Sequence, residues 1–158
     1  MGSYAGDMIA NLTTLPPVPQ LDGAIKLKRV YAGDKSEVLE FIRSNFNQTW
    51  VNEAEAALSQ NPIACFIATE NGRILGFACY DATAKGFFGP TGVTEAARGR
   101  NVGKALLIRT MEAMREAGYG YAIIGWTDVD GFYRKAVGAE YIPGGTPENS
   151  VYSRMISR

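Results

Sequence analysis

Between Gly86 and Leu107 the chain reads GFFGPTGVTEAARGRNVGKALL. An extended apolar run passes through a short basic turn straight into an amphipathic helix. Pro90 lies inside the run, where it removes a ladder donor, so a bulge or splay of the sheet is expected there. The turn, Arg98-Gly99-Arg100-Asn101-Val102-Gly103-Lys104, aims free backbone N–H groups, the positive end of a helix and three cations at one point, and such a point binds phosphate. A strand that opens beside an anion-binding helix start confines the chain to sheets with helices packed on them.

The flanking sequence supplies the rest of that sheet. Ile25 to Tyr31 alternates as a strand, and Asp34 with Glu37 has the spacing of a capping box for a helix over Lys35 to Asn45. A second helix is expected over Val51 to Ser59, with Trp50 at its entrance. IACFIATE and RILGFACY flank Asn71-Gly72, the preferred type I′ pair, so Glu70 should face Arg73. A regular ladder then sets Ala78 opposite Cys65 and Ala64 opposite Cys79, with the cysteines on opposite faces. The long helix covers Asn101 to Ala117, with Leu106, Leu107, Met111 and Met114 inward and Lys104, Arg109, Glu112 and Arg115 in water. Gly118 ends it. Tyr121 to Trp126 reads as a buried strand, Val129 to Ala136 as a short helix, Ala139 to Ile142 as a strand, and Val151 to Ile156 as the closing strand.

The expected fold is thus α/β (α+β): a single domain with a mixed, mostly antiparallel twisted sheet of six to seven strands, splayed near Pro90 around its fourth and fifth strands, and about four helices. Residues 25–158 form this domain. Residues 1–24 form an N-terminal extension, its Pro16, Pro17 and Pro19 excluding helix; residues 1–7 have the look of an expression remnant, with Met8 the native start.

Sixteen basic and sixteen acidic residues cancel, so no global charge points to nucleic acid or an anionic membrane. No apolar run approaches the roughly 20 residues of a spanning helix. Two cysteines without metal-like spacing, and no basic-then-apolar leader, fit a reducing cytoplasm. Histidine is absent, which removes the commonest general base, the usual zinc ligand and any Ser-His or Cys-His pair. Cys79 therefore has no evident activation as a covalent carrier.

Two familiar phosphate motifs fail. A P-loop needs a hydroxyl residue after Gly-Lys, and Ala105 follows Gly103-Lys104. A dinucleotide fingerprint needs three glycines at G-x-G-x-x-G spacing, and only Gly99 and Gly103 are present. The turn instead resembles motif A of the GNAT family of acetyl-CoA-dependent N-acetyltransferases, Arg/Gln-x-x-Gly-x-Gly/Ala. Arg98 and Gly103 stand at conserved-type positions of that motif, and Asn101 takes the place of its first glycine, Asn being the next most tolerant residue of positive φ. The element order from Ile25 onward is similar to the family's.

The resemblance implies acetyl-CoA as cofactor, no metal, and acetyl transfer to a small primary amine by direct attack in a ternary complex. Backbone N–H groups from Arg98, Gly99, Arg100, Asn101, Val102 and Gly103 would cradle the pyrophosphate; Lys104, Ala105 and Phe132 complete the expected cofactor contacts. The edge of Thr91, Gly92 and Val93 would pair with pantetheine as an added strand, a backbone N–H near Val93 polarising the thioester carbonyl. Tyr133 matches the family's general acid, although Trp126 stands where the family commonly has Asn and Gly138 follows with one extra residue. Asp81 or Asp128, acting through water, is the candidate base. Trp50, Tyr80, Phe87, Phe88 and Trp126 are candidate acceptor contacts, about two of them facing substrate and the rest core. Their aromatic character without clustered carboxylates argues against a polycationic acceptor. A longer acyl donor and a non-catalytic CoA-binding module are the alternatives. The N-terminal arm and the last strand are candidate homodimer contacts.

Overall fold

The computed structural model describes residues 6–156; residues 1–5 of the suggested remnant at 1–7 lie outside them, whereas Asp7 is buried in the fold. Seven strands form one sheet: β1 (Met8–Asn11), β2 (Ile25–Arg29), β3 (Cys65–Glu70), β4 (Arg73–Tyr80), β5 (Phe87–Val93), β6 (Tyr121–Ile124) and β7 (Glu140–Tyr141). Their order across the sheet is β2-β3-β4-β5-β6-β1-β7. The helices are α1 (Lys35–Asn45), α2 (Gln48–Leu58), α3 (Val102–Glu116) and α4 (Asp130–Val137). The sheet is antiparallel except where β6 runs parallel to β5, the crossover between them being α3. Leu106, Leu107, Met111 and Met114 of α3 are almost fully buried, each contributing about 1.5–3 kcal/mol of transfer free energy. No described helix is long and apolar enough to cross a membrane.

The N-terminal segment is part of the fold. Met8 to Asn11 pair with Ile124 to Tyr121 on one side, and Met8 and Ile9 pair with Tyr141 and Glu140 on the other. A segment read as extension is therefore an internal strand, with Met8 and Ala10 fully buried. Four residues are too few for periodicity to announce a strand, and their partners lie more than a hundred positions away. The expected closing strand does not form: Val151–Arg154 is a 3-10 turn, and β1 takes the internal place in the sheet beside β6.

The Asn71-Gly72 hairpin has both residues at positive φ, with Glu70 opposite Arg73. The expected ladder beyond it shifts by one, because Thr69 pairs with Ile74 and Ala68 with Gly76, leaving Leu75 bulged. Cys65 consequently lies opposite Cys79, and Ile67 opposite Phe77. The bulge sets large apolar residues on the face that meets Phe41, Phe46 and Trp50, whose rings surround Phe77. Both thiols are free and buried, and burial first, then Cys65 beside it, pushes the Cys79 thiol up. Cys79 is therefore no nucleophile at neutral pH.

Other local expectations also change. Asp34 precedes α1, but its carboxylate accepts from the Tyr31 N–H at 3.0 Å and from Lys28 at 2.7 Å, so no Asp34–Glu37 capping box forms. Asn47 caps α2, accepting from the Trp50 N–H at 2.8 Å. Arg109 does not stand in water; its guanidinium lies 4.6 Å from the Phe66 ring centre, a cation–π contact. Truncating Met8 tests the internal strand: Met8→Ala should lower unfolding free energy by about 2–5 kcal/mol in urea titrations, whereas a dangling extension would leave it unchanged.

Candidate functional site

The sheet parts between β5 and β6. Phe87 and Phe88 pair with Ile123 and Ile124, and pairing stops there. Beyond it, Trp126 adopts a φ of 46°, which turns the chain away from β5. Its N–H donates to the Asp7 carboxylate at 3.0 Å, so the N-terminal strand holds the turn in place. On the other side of the gap, β5 continues along β4 alone. The Thr94 N–H donates to Leu75 at 2.8 Å, so by alternation the Val93 and Thr91 N–H groups face the unpaired edge. Gly92 lies against the Phe46 ring, where a Cβ would come within 2.5 Å of it, so a side chain there would push α1 off the strand.

Two cavities adjoin this edge. The first, about 490 Å³, is lined by Val93, Arg98, Gly99, the start of α3, and Phe132 with Lys135 from α4. Gly99 has φ 82° and Asn101 φ 65°, so the asparagine does what a glycine would do at that position. The Asn101 carbonyl accepts the Ala105 N–H at 3.0 Å, which leaves the N–H groups of Val102, Gly103 and Lys104 without partners inside the helix. The first turn of α3 holds no acidic residue and Asn101 makes no side-chain cap. Arg98, Lys104 and Lys135 add positive charge, and among the described residues no carboxylate lines this cavity. It is built for an anion.

Arg100 is not part of it. Its guanidinium forms a fork with Glu70, at 3.0 and 2.6 Å, and a further bond to Asp22 at 3.1 Å. This pairing holds the Glu70 carboxyl below its usual range. The side chain ties the turn to the hairpin end, a role invisible in sequence because Glu70 lies 30 positions away. Ala105 and Gly92 also line neither cavity; Ala105 is buried beneath the helix. Lys135 was missed by sequence reasoning, although its i+3 spacing from Phe132 sets both on one helix face.

The second cavity, about 310 Å³, is lined by Trp50 and Glu53 of α2, Phe88 and Thr91 of β5, the Trp126 turn through Asp128, Tyr133 of α4, and Tyr152. Tyr133 is 6% exposed, edge-on to Phe88 with ring centres 6.3 Å apart. Burial first, then Tyr152 and Asp128, pushes its phenol well up; it stays protonated at neutral pH and can donate. Of the five aromatic acceptor candidates, Trp50, Phe88 and Trp126 line the cavity. Tyr80 turns elsewhere, its hydroxyl accepting from Arg29 at 3.1 Å, and Phe87, outside the lining, packs edge-on against Tyr152.

The two candidate bases separate. Asp128 lines the second cavity and is exposed. Asp81 does not line it: its carboxylate accepts from the Tyr119 hydroxyl at 2.8 and 2.9 Å and from the Gly86 N–H at 2.7 Å. Asp81 shapes the loop before β5, a use its sequence position did not reveal. Glu53, also missed, is one helical turn from Trp50, so both stand on one face of α2.

A parted α/β sheet with an anion-receptive helix start on one side and an aromatic pocket on the other is the acetyltransferase-type domain expected above. Residues 31–139 match the family model described as "Acetyltransferase (GNAT) family", and the chain belongs to that family. Similar solved structures agree in fold. A GCN5-related glucosamine N-acetyltransferase region of a fungal multi-domain GH3 beta-N-acetylglucosaminidase superposes with a TM-score of 0.70 at 17% identity, over 87% of this chain and 20% of that one. A GCN5-related N-acetyltransferase from Sphaerobacter thermophilus gives 0.68 at 23% identity, over 88% and 49%. A GNAT family acetyltransferase from Brucella melitensis, solved in complex with acetyl-CoA, gives 0.53 at 23% identity, over 70% and 80%. The chain thus spans from a fifth to about half the length of the first two. No curated protein matches the sequence.

The left-handed residue offers a direct check on this geometry. Asn101→Gly should leave stability unchanged or slightly improved, while Asn101→Val, branched at a φ of 65°, should cost about 1–2 kcal/mol, measured by thermal or urea unfolding.

Proposed function

We propose that the protein transfers an acetyl group from acetyl-CoA to the amino group of a small molecule, by direct attack in a ternary complex. One observation carries this reading: the anion cavity and the aromatic cavity meet along β5 and α4. Val93 lines the first and Thr91 the second; Phe132 lines the first and its neighbour Tyr133 the second. A cofactor whose phosphates sit at the start of α3 would lay its extended arm along the unpaired β5 edge and present its thioester to the aromatic pocket.

Each residue then has a physical task. The N–H groups at the start of α3, with Arg98, Lys104 and Lys135, hold pyrophosphate. Thr91 and Val93 N–H groups pair with the pantetheine amides, the one nearest the thioester polarising its carbonyl. The amine nitrogen attacks the carbonyl carbon, the C–N bond forms, and the C–S bond breaks. The departing thiolate takes the Tyr133 proton. Of the two protons the ammonium nitrogen sheds, one passes through a pocket carboxylate or water to solvent and the other restores the Tyr133 phenol, so one proton is released for each ammonium consumed.

An amine panel assayed with acetyl-CoA for thiol release tests the activity. Tyr133→Phe should lower kcat by about 100-fold or more with CoA affinity intact. Because the phenol titrates above the ordinary value of 10.0, wild-type kcat should show no loss from Tyr133 ionisation up to that pH. Lys104→Ala should weaken CoA binding by about tenfold, while Arg100→Ala, which cuts the bond to Glu70, should act mainly on stability. CoA bound equally well by the Lys104 variant would count against the assigned cavity.

A further inference from the structure

Glu53 brings a carboxylate into a cavity whose lining includes the rings of Trp50, Phe88, Trp126, Tyr133 and Tyr152. Its Oε1 accepts from Thr83 Oγ1 at 3.0 Å, and that hydroxyl is within 3.4 Å of the Tyr152 hydroxyl, which donates to it. Tyr152 in turn lies against Trp126, ring centres 5.2 Å apart. The carboxylate is therefore oriented by the same residues that shape the pocket. Asp128, the other carboxylate in the lining, is exposed, where water screens its charge. The cavity, about 310 Å³, stands at the lower end of ligand-pocket sizes. Trp50, Phe88 and Trp126 offer ring faces that suit both a flat apolar body and a cation.

Resting on the acetyl-transfer reading, we infer that Glu53 receives the ammonium group of the acceptor, and that this acceptor is a small monoamine with an aromatic or compact apolar body. The carboxylate binds the cation and then takes one of its protons: an N–H bond breaks, an O–H bond forms on Glu53, and the freed lone pair attacks the thioester. The proton leaves to solvent after turnover. Glu53 is the one half-buried carboxylate of the lining and satisfies one charge; the further charges of a polyamine or an aminoglycoside would meet only the rings and Asp128, whose charge water screens.

The test uses the two tryptophans of the chain, Trp50 and Trp126, both of which line the cavity, so intrinsic fluorescence reports its occupation. 2-Phenylethylamine should bind the CoA complex of the wild type, and Glu53→Gln should raise its Kd by about tenfold or more. Binding of the uncharged 2-phenylethanol should move less than about twofold. Glu53→Gln should lower kcat/KM for the amine by about 100-fold. Thr83→Val, which keeps the carboxylate and removes its donor, should give a smaller loss, and unchanged CoA affinity in both variants shows that they fold. Equal amine binding by wild type and Glu53→Gln, a loss found only in Asp128→Asn, or preference for spermidine would overturn the inference. Glu53-dependent amine binding without thiol release would support it and overturn the acetyl-transfer reading. Thiol release undiminished in Glu53→Gln would do the reverse.

Discussion

Two residue pairs, Phe87 with Ile123 and Phe88 with Ile124, join the halves of this sheet, and both described cavities along β5 lie just past them. Strands that kept pairing would satisfy each other's backbone groups and leave no room for a ligand. Here Trp126 takes a left-handed conformation, held by the Asp7 carboxylate, and β6 veers off. The N–H groups of Thr91 and Val93 are left facing the gap. An unpaired, half-buried edge is costly, and under the proposed function a ligand with amide groups of its own completes the ladder.

The same parting explains why the chemistry is divided between two elements that never touch in sequence. The β5 side leads into the anion-receptive start of α3, where helix geometry leaves amides unsatisfied. The β6 side leads through the Trp126 turn into α4, which carries Phe132 toward one cavity and Tyr133 toward the other. Charge is sorted along this axis. Cations gather at the start of α3, carboxylates line the aromatic cavity, and a phenol kept protonated by burial stands at the junction. Arg100 sits outside this division because Glu70 and Asp22 occupy its guanidinium.

Much of this is legible in the sequence. The strand, basic turn and helix from Gly86 onward, the positive φ at Asn101, the Asn-Gly hairpin turn and the splay near Pro90 all follow from short-range rules that depend on neighbours in the chain. The misreadings share a different cause. Whether Arg100 meets a phosphate or Glu70, whether Asp81 activates water or binds Tyr119, and whether Cys65 faces Ala78 or Cys79 are matters of residues brought together from afar or of a single bulged residue, Leu75, that shifts a register.

The N-terminal strand shows the limit most clearly. Met8 to Asn11 has neither length nor alternation to distinguish it from a tail, yet it fills an internal position of the sheet, and Asp7 just before it anchors the turn beside the aromatic cavity. Local sequence dictates where backbone conformation changes, because turn, cap and periodicity preferences act over a few residues. Which charges are spent on structure and which face a ligand is settled by tertiary packing, because that depends on what distant segments deliver to the same few ångströms. In this chain the basic turn before α3 was written locally; the aromatic cavity, with Glu53 and Tyr152 in its lining and Thr83 bonded to both, was assembled by the fold.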